Sequence, residues 1–153
     1  MIAFVGRADD LIAVDNLLSQ SQQVNIAATI GMGGVGKTEL ALQYALQNRS
    51  RFTGGIVWLS GISPIAPQLI GFAESRLGLE VPESVEDAVG WCWQNWPGLD
   101  AVLVVVDNVQ DYGALKPLLP SGIRFRVLLT TRRAILGVGQ RLELEVLVLA
   151  AAL

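Results

Sequence analysis

The sequence predicts an α/β fold: a mostly parallel five-stranded sheet, in three layers, with helices on both faces. Three observations predict it. Short apolar runs alternate with helical stretches along all 153 residues, the pattern of βαβ units. The run Ala101 to Val106 is a continuous aliphatic block suited to a strand buried on both faces. A glycine-rich stretch, Gly31 to Thr38, sits between an apolar run and a helix-forming run, where a βα unit turns. Residues 1–153 read as one domain, long enough to bury roughly two-thirds of the unfolded surface.

The elements follow in order. Asp9 to Leu18 has apolar residues at 11, 12, 14, 17 and 18, the spacing of an amphipathic helix. Ser19 to Gln23 is a polar connector, and Val24 to Ile30 reads as the first strand. Glu39 to Gln47 reads as a helix, turn residues fill Arg49 to Gly55, and Ile56 to Leu59 form the second strand. Pro64 to Leu77 is helical. Ser84-Val85-Glu86-Asp87 resembles a capping box that opens another helix. Its apolar stripe runs Val85, Ala88, Val89, Cys92, Trp96, with Trp93 at its border and Trp91 on the other side. Trp91 is either a packing residue or a contact for a segment outside this chain. Pro97-Gly98 ends that helix before the third strand, Ala101 to Val106. A short helix spans Tyr112 to Leu119, Phe125 to Thr130 is the fourth strand, and Arg141 to Val146 is the expected fifth, edge strand. The apolar end, Val146 to Leu153, reads as a cut through a longer protein.

Gly31-Met32-Gly33-Gly34-Val35-Gly36-Lys37-Thr38 has the form G-x-x-x-x-G-K-[ST] in its required setting between strand and helix. Glycines let backbone N–H groups turn towards phosphate oxygens, and the helix N-terminus adds partial positive charge. Lys37 would reach the β- and γ-phosphates, and the Thr38 hydroxyl would ligate Mg²⁺. A carboxylate is then needed opposite the loop. Asp107 ends the strand 102–106, at the edge where open α/β sheets bind ligands, and one carboxylate suits Mg²⁺ that keeps its waters. The neighbour, Asn108, can orient a water but cannot take its proton, so hydrolysis should be slow; Asp111 and Glu39 are the substitute bases. Arg132 follows the fourth strand and can pair with γ-phosphate oxygens; Arg133 beside it reads as a surface charge.

Composition narrows the function further. The chain has no histidine, which excludes a Ser-His-Asp triad and His-ligated zinc. Net charge is −3 with no basic block, so nucleic-acid binding has no electrostatic support. No apolar run reaches membrane-spanning length. The single cysteine, Cys92, reads as a small buried hydrophobe, and the lack of a disulfide framework fits a reducing, cytoplasmic setting.

In order, five motifs resemble the NB-ARC family of STAND P-loop ATPases. They are Phe4-Val5-Gly6-Arg7, the phosphate loop, Gly55-Ile56-Val57-Trp58-Leu59-Ser60, Val104 to Asn108, and Leu128-Leu129-Thr130-Thr131-Arg132. Trp58 and the Asp107-Asn108 pair make it look like a bacterial-type member. The resemblance implies a P-loop NTPase fold with the sensor strand between the Walker A and Walker B strands. It implies ADP or ATP with Mg²⁺, and Val5 and Arg7 near the nucleotide. The cofactor-binding set is then Val5, Arg7, Gly31, Gly33, Gly34, Val35, Gly36, Lys37 and Thr38, with Thr38 and Asp107 at the metal and Lys37, Asp107 and Arg132 serving phosphoryl transfer. It further implies a slow nucleotide-dependent switch that forms homo-oligomers with ATP. The winged-helix and helical subdomains, which normally close over the nucleotide, are absent from this sequence. Glu39 replaces a common Thr or Ser of the family. An alternative of another class stands beside this: a nucleotide-gated interaction scaffold that hydrolyses nothing. A guanine-specific enzyme would need an N-K-x-D segment, and a small-molecule kinase an arginine-rich lid; neither occurs here.

Overall fold

A computed structural model describes residues 7–27 and 34–131 of the chain. Helix α1 (Arg7–Gln20) precedes strand β1 (Gln23–Ala27) and helix α2 (Gly34–Gln47). Strand β2 (Gly55–Ser60) leads into α3 (Ile65–Arg76) and α4 (Ala88–Gln94). Strand β3 (Val102–Val109), the short α5 (Tyr112–Leu115) with a 3-10 turn (Lys116–Leu118), and β4 (Phe125–Thr131) complete it. The strands form one parallel sheet in the order β1-β4-β3-β2.

The sheet corrects one expectation. It has four strands among the described residues, not five. The expected edge strand, Arg141 to Val146, lies outside them. The implied strand order is met, with β4 between β1, the strand before the glycine-rich stretch, and β3, which carries Asp107.

Alternation along β3 builds the three layers. Leu103 and Val105 face one side, packing with Val24, Ile26 and Leu128 under α1 and α2. Val102, Val104 and Val106 face the other, with Val127 and Leu129 under α3 and α4. Both sides of β3 are therefore apolar, which is why its sequence shows no polar alternation. In α1 the buried apolar residues are Ala13, Val14, Leu17 and Leu18, and acids at 9 and 10 occupy the first turn, where the helix dipole favours them. Ile12, expected in the stripe, is instead 59% exposed.

The α3/α4 layer is aromatic. Trp93 and Trp96 stack at 5.7 Å, Phe72 stacks on Trp96 at 5.6 Å, and Phe125 meets both indoles edge-on. Each indole N–H is satisfied by a carbonyl: Trp93 donates to Leu118 and Trp96 to Gly54, both at 2.8 Å. Trp91 is half-buried against the same cluster, so it packs within this chain. Cys92 is fully buried, and desolvation pushes its thiol pKa up. The capping box does not form around Ser84. Asp87 is the N-cap of α4, its carboxylate accepting from the Gly90 N–H at 2.9 Å, so the helix begins at Ala88.

Candidate functional site

Helix α2 opens inside the glycine-rich stretch, at Gly34, so Lys37 and Thr38 lie in its first turns. This start is earlier than the Glu39 expected from the apolar pattern, because glycines mask helical periodicity. Lys37 is buried at 3% exposure and its ammonium donates to the Thr131 carbonyl at the end of β4, 2.5 Å away. The Thr38 hydroxyl donates to the Asp107 carboxylate, with contacts of 2.9 and 3.2 Å to its two oxygens. Residues 38 and 107 are far apart in sequence and meet only because β3 ends and α2 begins at the same edge of the sheet.

A third residue completes this cluster, one that the sequence reading had placed only within a strand. Thr130, 2% exposed, donates its hydroxyl proton to Asp107 at 2.5 Å. The same oxygen accepts the Asn108 N–H at 2.8 Å. Asp107 thus takes hydroxyl protons from two elements, α2 and β4, which fixes the direction its carboxylate faces. Its alternation in the T-T-R segment was the available signal: Leu128 faces the α1/α2 side, and a threonine at a buried strand position must find a polar partner.

The backbone at Asp107-Asn108 is irregular. The β3–β4 register shifts between Val106 and Val109, and Asn108 has φ +63°. Asparagine is one of the few residues other than glycine that visits this left-handed region readily. Its side-chain oxygen accepts from Gln110 at 3.0 Å. Gly61 at the end of β2 makes room for the bulge, its N–H donating to the Asp107 carbonyl at 2.7 Å. A Cβ at Gly61 would sit 2.7 Å from the Asn108 carbonyl oxygen and from the Val109 Cα. Asn108 therefore has a conformational role beside the chemical one considered from sequence.

The expected substitute bases have other partners. Asp111 is the N-cap of α5, accepting from the Ala114 N–H at 3.2 Å. Glu39 accepts from Gln43 one helical turn on, at 3.2 Å. Gly34, Val35 and Gly36 lie in the start of α2, and Arg7 in the start of α1. Val5, Gly31, Gly33, Arg132 and Arg133 lie outside the described residues. Asn25, read as part of an apolar run, is fully buried in β1, and its amide has no hydrogen-bond partner among the described residues.

The polar groups of this cluster are the Thr38 and Thr130 hydroxyls and the Asp107 carboxylate, all oxygen. Among the described residues no group of three His, Cys, Asp or Glu gathers as a metal cage. Oxygen donors beside a G-x-x-x-x-G-K-T stretch suit a hard divalent cation that keeps most of its waters, as Mg²⁺ does. Among the described residues no helix is long and apolar enough to cross a membrane.

The chain is similar to two regulatory proteins. It is 32% identical over 139 residues to the regulatory protein AfsR of Streptomyces coelicolor, covering 85% of this chain. To AfsR of Streptomyces griseus it is 27% identical, covering 84%. The matched region spans 14% of the length of each relative. No family model matches the chain.

Proposed function

We propose that this chain is an adenine-nucleotide-binding module of the NB-ARC/STAND type, taking ADP or ATP with Mg²⁺ and acting as a slow nucleotide-dependent switch in a regulatory protein. The observation that carries the reading is the meeting of Thr38 and Asp107 at the carboxyl edge of a parallel sheet, directly beside a G-x-x-x-x-G-K-T sequence. The similarity to two regulatory proteins supports the signalling context.

Each residue has a defined part. The loop backbone and the N-terminus of α2 hold phosphate oxygens. Lys37 gives up the Thr131 carbonyl and turns its ammonium to the β- and γ-phosphates. Thr38 and Asp107 would hold Mg²⁺, which supplies charge neutralisation on the phosphates when bound. Thr130 keeps Asp107 aimed while Thr38 exchanges its partner. Arg132, next along the chain from Thr131, would read the γ-phosphate. Such a switch works only if nucleotide favours one arrangement of the protein over another.

A second reading is favoured by Asn108. It places no carboxylate beside Asp107, and Asp111 is occupied as a helix cap. On that reading the module binds nucleotide and gates an interaction without turnover. Denaturing the purified protein and identifying released nucleotide by chromatography tests the binding claim: ADP or ATP is expected, and guanine nucleotide would overturn the adenine assignment. Phosphate release then separates the readings. A slow rate abolished by Lys37→Ala marks a working ATPase; nucleotide binding with no Lys37-dependent rate marks the scaffold.

A further inference from the structure

At the amino edge of the sheet, opposite the phosphate site, a cavity of about 300 Å³ opens between α1, α2 and the ends of β3 and β4. Leu18, Phe52 and Ala101 supply apolar wall, and Arg51 and Arg126 line it with positive charge. Its volume is at the low end for small-molecule pockets, which start at about 300 Å³.

The two arginines differ. Arg51 pairs with Asp15, and Asp15 also accepts the Tyr44 hydroxyl at 2.9 Å. Arg126 is half-buried in β4, and its guanidinium makes no hydrogen bond or ion pair among the described residues. A guanidinium partly withdrawn from water beside aromatic and aliphatic walls attracts an anion more strongly than one in solvent. The local charge is two arginines against one aspartate, a surplus of one positive charge. That surplus matches a singly charged ligand and would be over-compensated by a phosphate dianion.

We propose that this cavity is a carboxylate-binding site, with the carboxylate bidentate on Arg126, close to Arg51, and an apolar stem against Phe52 and Leu18. The carboxylate belongs either to a free small acid or to an acidic side chain of a protein segment. The site is independent of the nucleotide reading, because its lining includes none of Lys37, Thr38 and Asp107.

The test uses the whole chain labelled with ¹⁵N and saturated with ADP and Mg²⁺, titrated with butyrate, with inorganic phosphate, and with a capped peptide containing one glutamate. Shifts of the Arg51, Phe52 and Ala101 amides are the readout, distant from the phosphate loop. Saturable butyrate shifts are expected at those amides, weakened at least about tenfold by Arg126→Gln and less by Arg126→Lys, which keeps the charge but loses the fork. A peptide binding at least about tenfold tighter than butyrate would identify a protein segment as the source, and equal affinities a free acid. Shifts unchanged in Arg126→Gln, no shifts at all, or phosphate binding more tightly than butyrate would each overturn the proposal. If the chain fails to hold ADP, the same titration in Lys37→Ala protein still decides it.

Discussion

The two edges of the sheet use polar side chains in different ways. At the carboxyl edge the hydroxyls bond to a side chain, Thr38 and Thr130 both donating to Asp107, while Lys37 donates to the Thr131 carbonyl. At the amino edge, apart from the bonds of Arg51 and Tyr44 to Asp15, they bond to backbone carbonyls. Trp96 donates to Gly54, Gln22 to Gly122, and the Arg124 guanidinium to the carbonyls of Trp96, Pro97, Gly98 and Asp100. A side chain clamped on a carbonyl holds a loop in one place. Hydroxyls on a carboxylate can change partners when a cation or a phosphate arrives. The first arrangement serves stability, and the second leaves a site that ligand can rearrange.

This contrast can be broken from either side. The largest effect is expected from Trp96→Ala, which removes an indole that is 4% exposed and packed on three aromatic rings. Chemical denaturation should show a loss of about 3–5 kcal/mol, while nucleotide affinity of the folded fraction stays unchanged. A weakened affinity in the folded fraction would show that the two edges are coupled. Lys37→Ala should do the reverse: a loss of about 1.5–3 kcal/mol in nucleotide binding by calorimetry, the range for hydrogen bonds to charged groups, with a smaller change in stability.

Thr130→Val sharpens the comparison because the shapes are alike and only the hydroxyl is lost. Asp107 then loses one of its two hydroxyl donors, and the Asn108 N–H loses its acceptor. We expect the Mg²⁺ dependence of nucleotide binding to weaken by about 1–2 kcal/mol, with Thr130→Ser restoring it. If Thr130→Val lowered stability alone, Thr130 would belong with the structural clamps.

The smallest effect concerns Tyr44, away from the carboxyl edge. Burial first, and then its bond to Asp15, raise its hydroxyl pKa above the ordinary 10.0. The folded state therefore holds this proton more tightly than the unfolded state. That stabilisation is fully present below about pH 10 and erodes as pH rises from there towards the folded pKa. Denaturation midpoints should fall through this alkaline range, and Tyr44→Phe should flatten the fall at a cost of about 1 kcal/mol at neutral pH. An equal fall in the phenylalanine variant would assign the effect to other groups.

Much of the site was legible because its signals are local. Lys37 and Thr38 are named by spacing within eight residues, and Asp107 by its place after an unbroken aliphatic run. Within the described residues the strand and helix assignments held for the same reason, with ends moved by a few residues: β3 continues past Asp107 to Val109, and α4 starts at Ala88 rather than Ser84. What was missed depends on partners distant in sequence. Thr130 looks like any strand threonine until β4 lies beside β3. Asp87 and Ser84 are equally good caps on paper, and only the path of the chain chose between them.

The sequence by itself determined the α/β class, the phosphate-loop pattern and the apolar strands, because each follows from residue type and short-range periodicity. Tertiary structure alone decided that Thr38, Asp107 and Thr130 share one hydrogen-bonded cluster, that Asn108 takes a left-handed conformation in a bulge, and that Arg126 lines a cavity beside Arg51. These depend on strand order and register, which bring together groups that no local pattern connects.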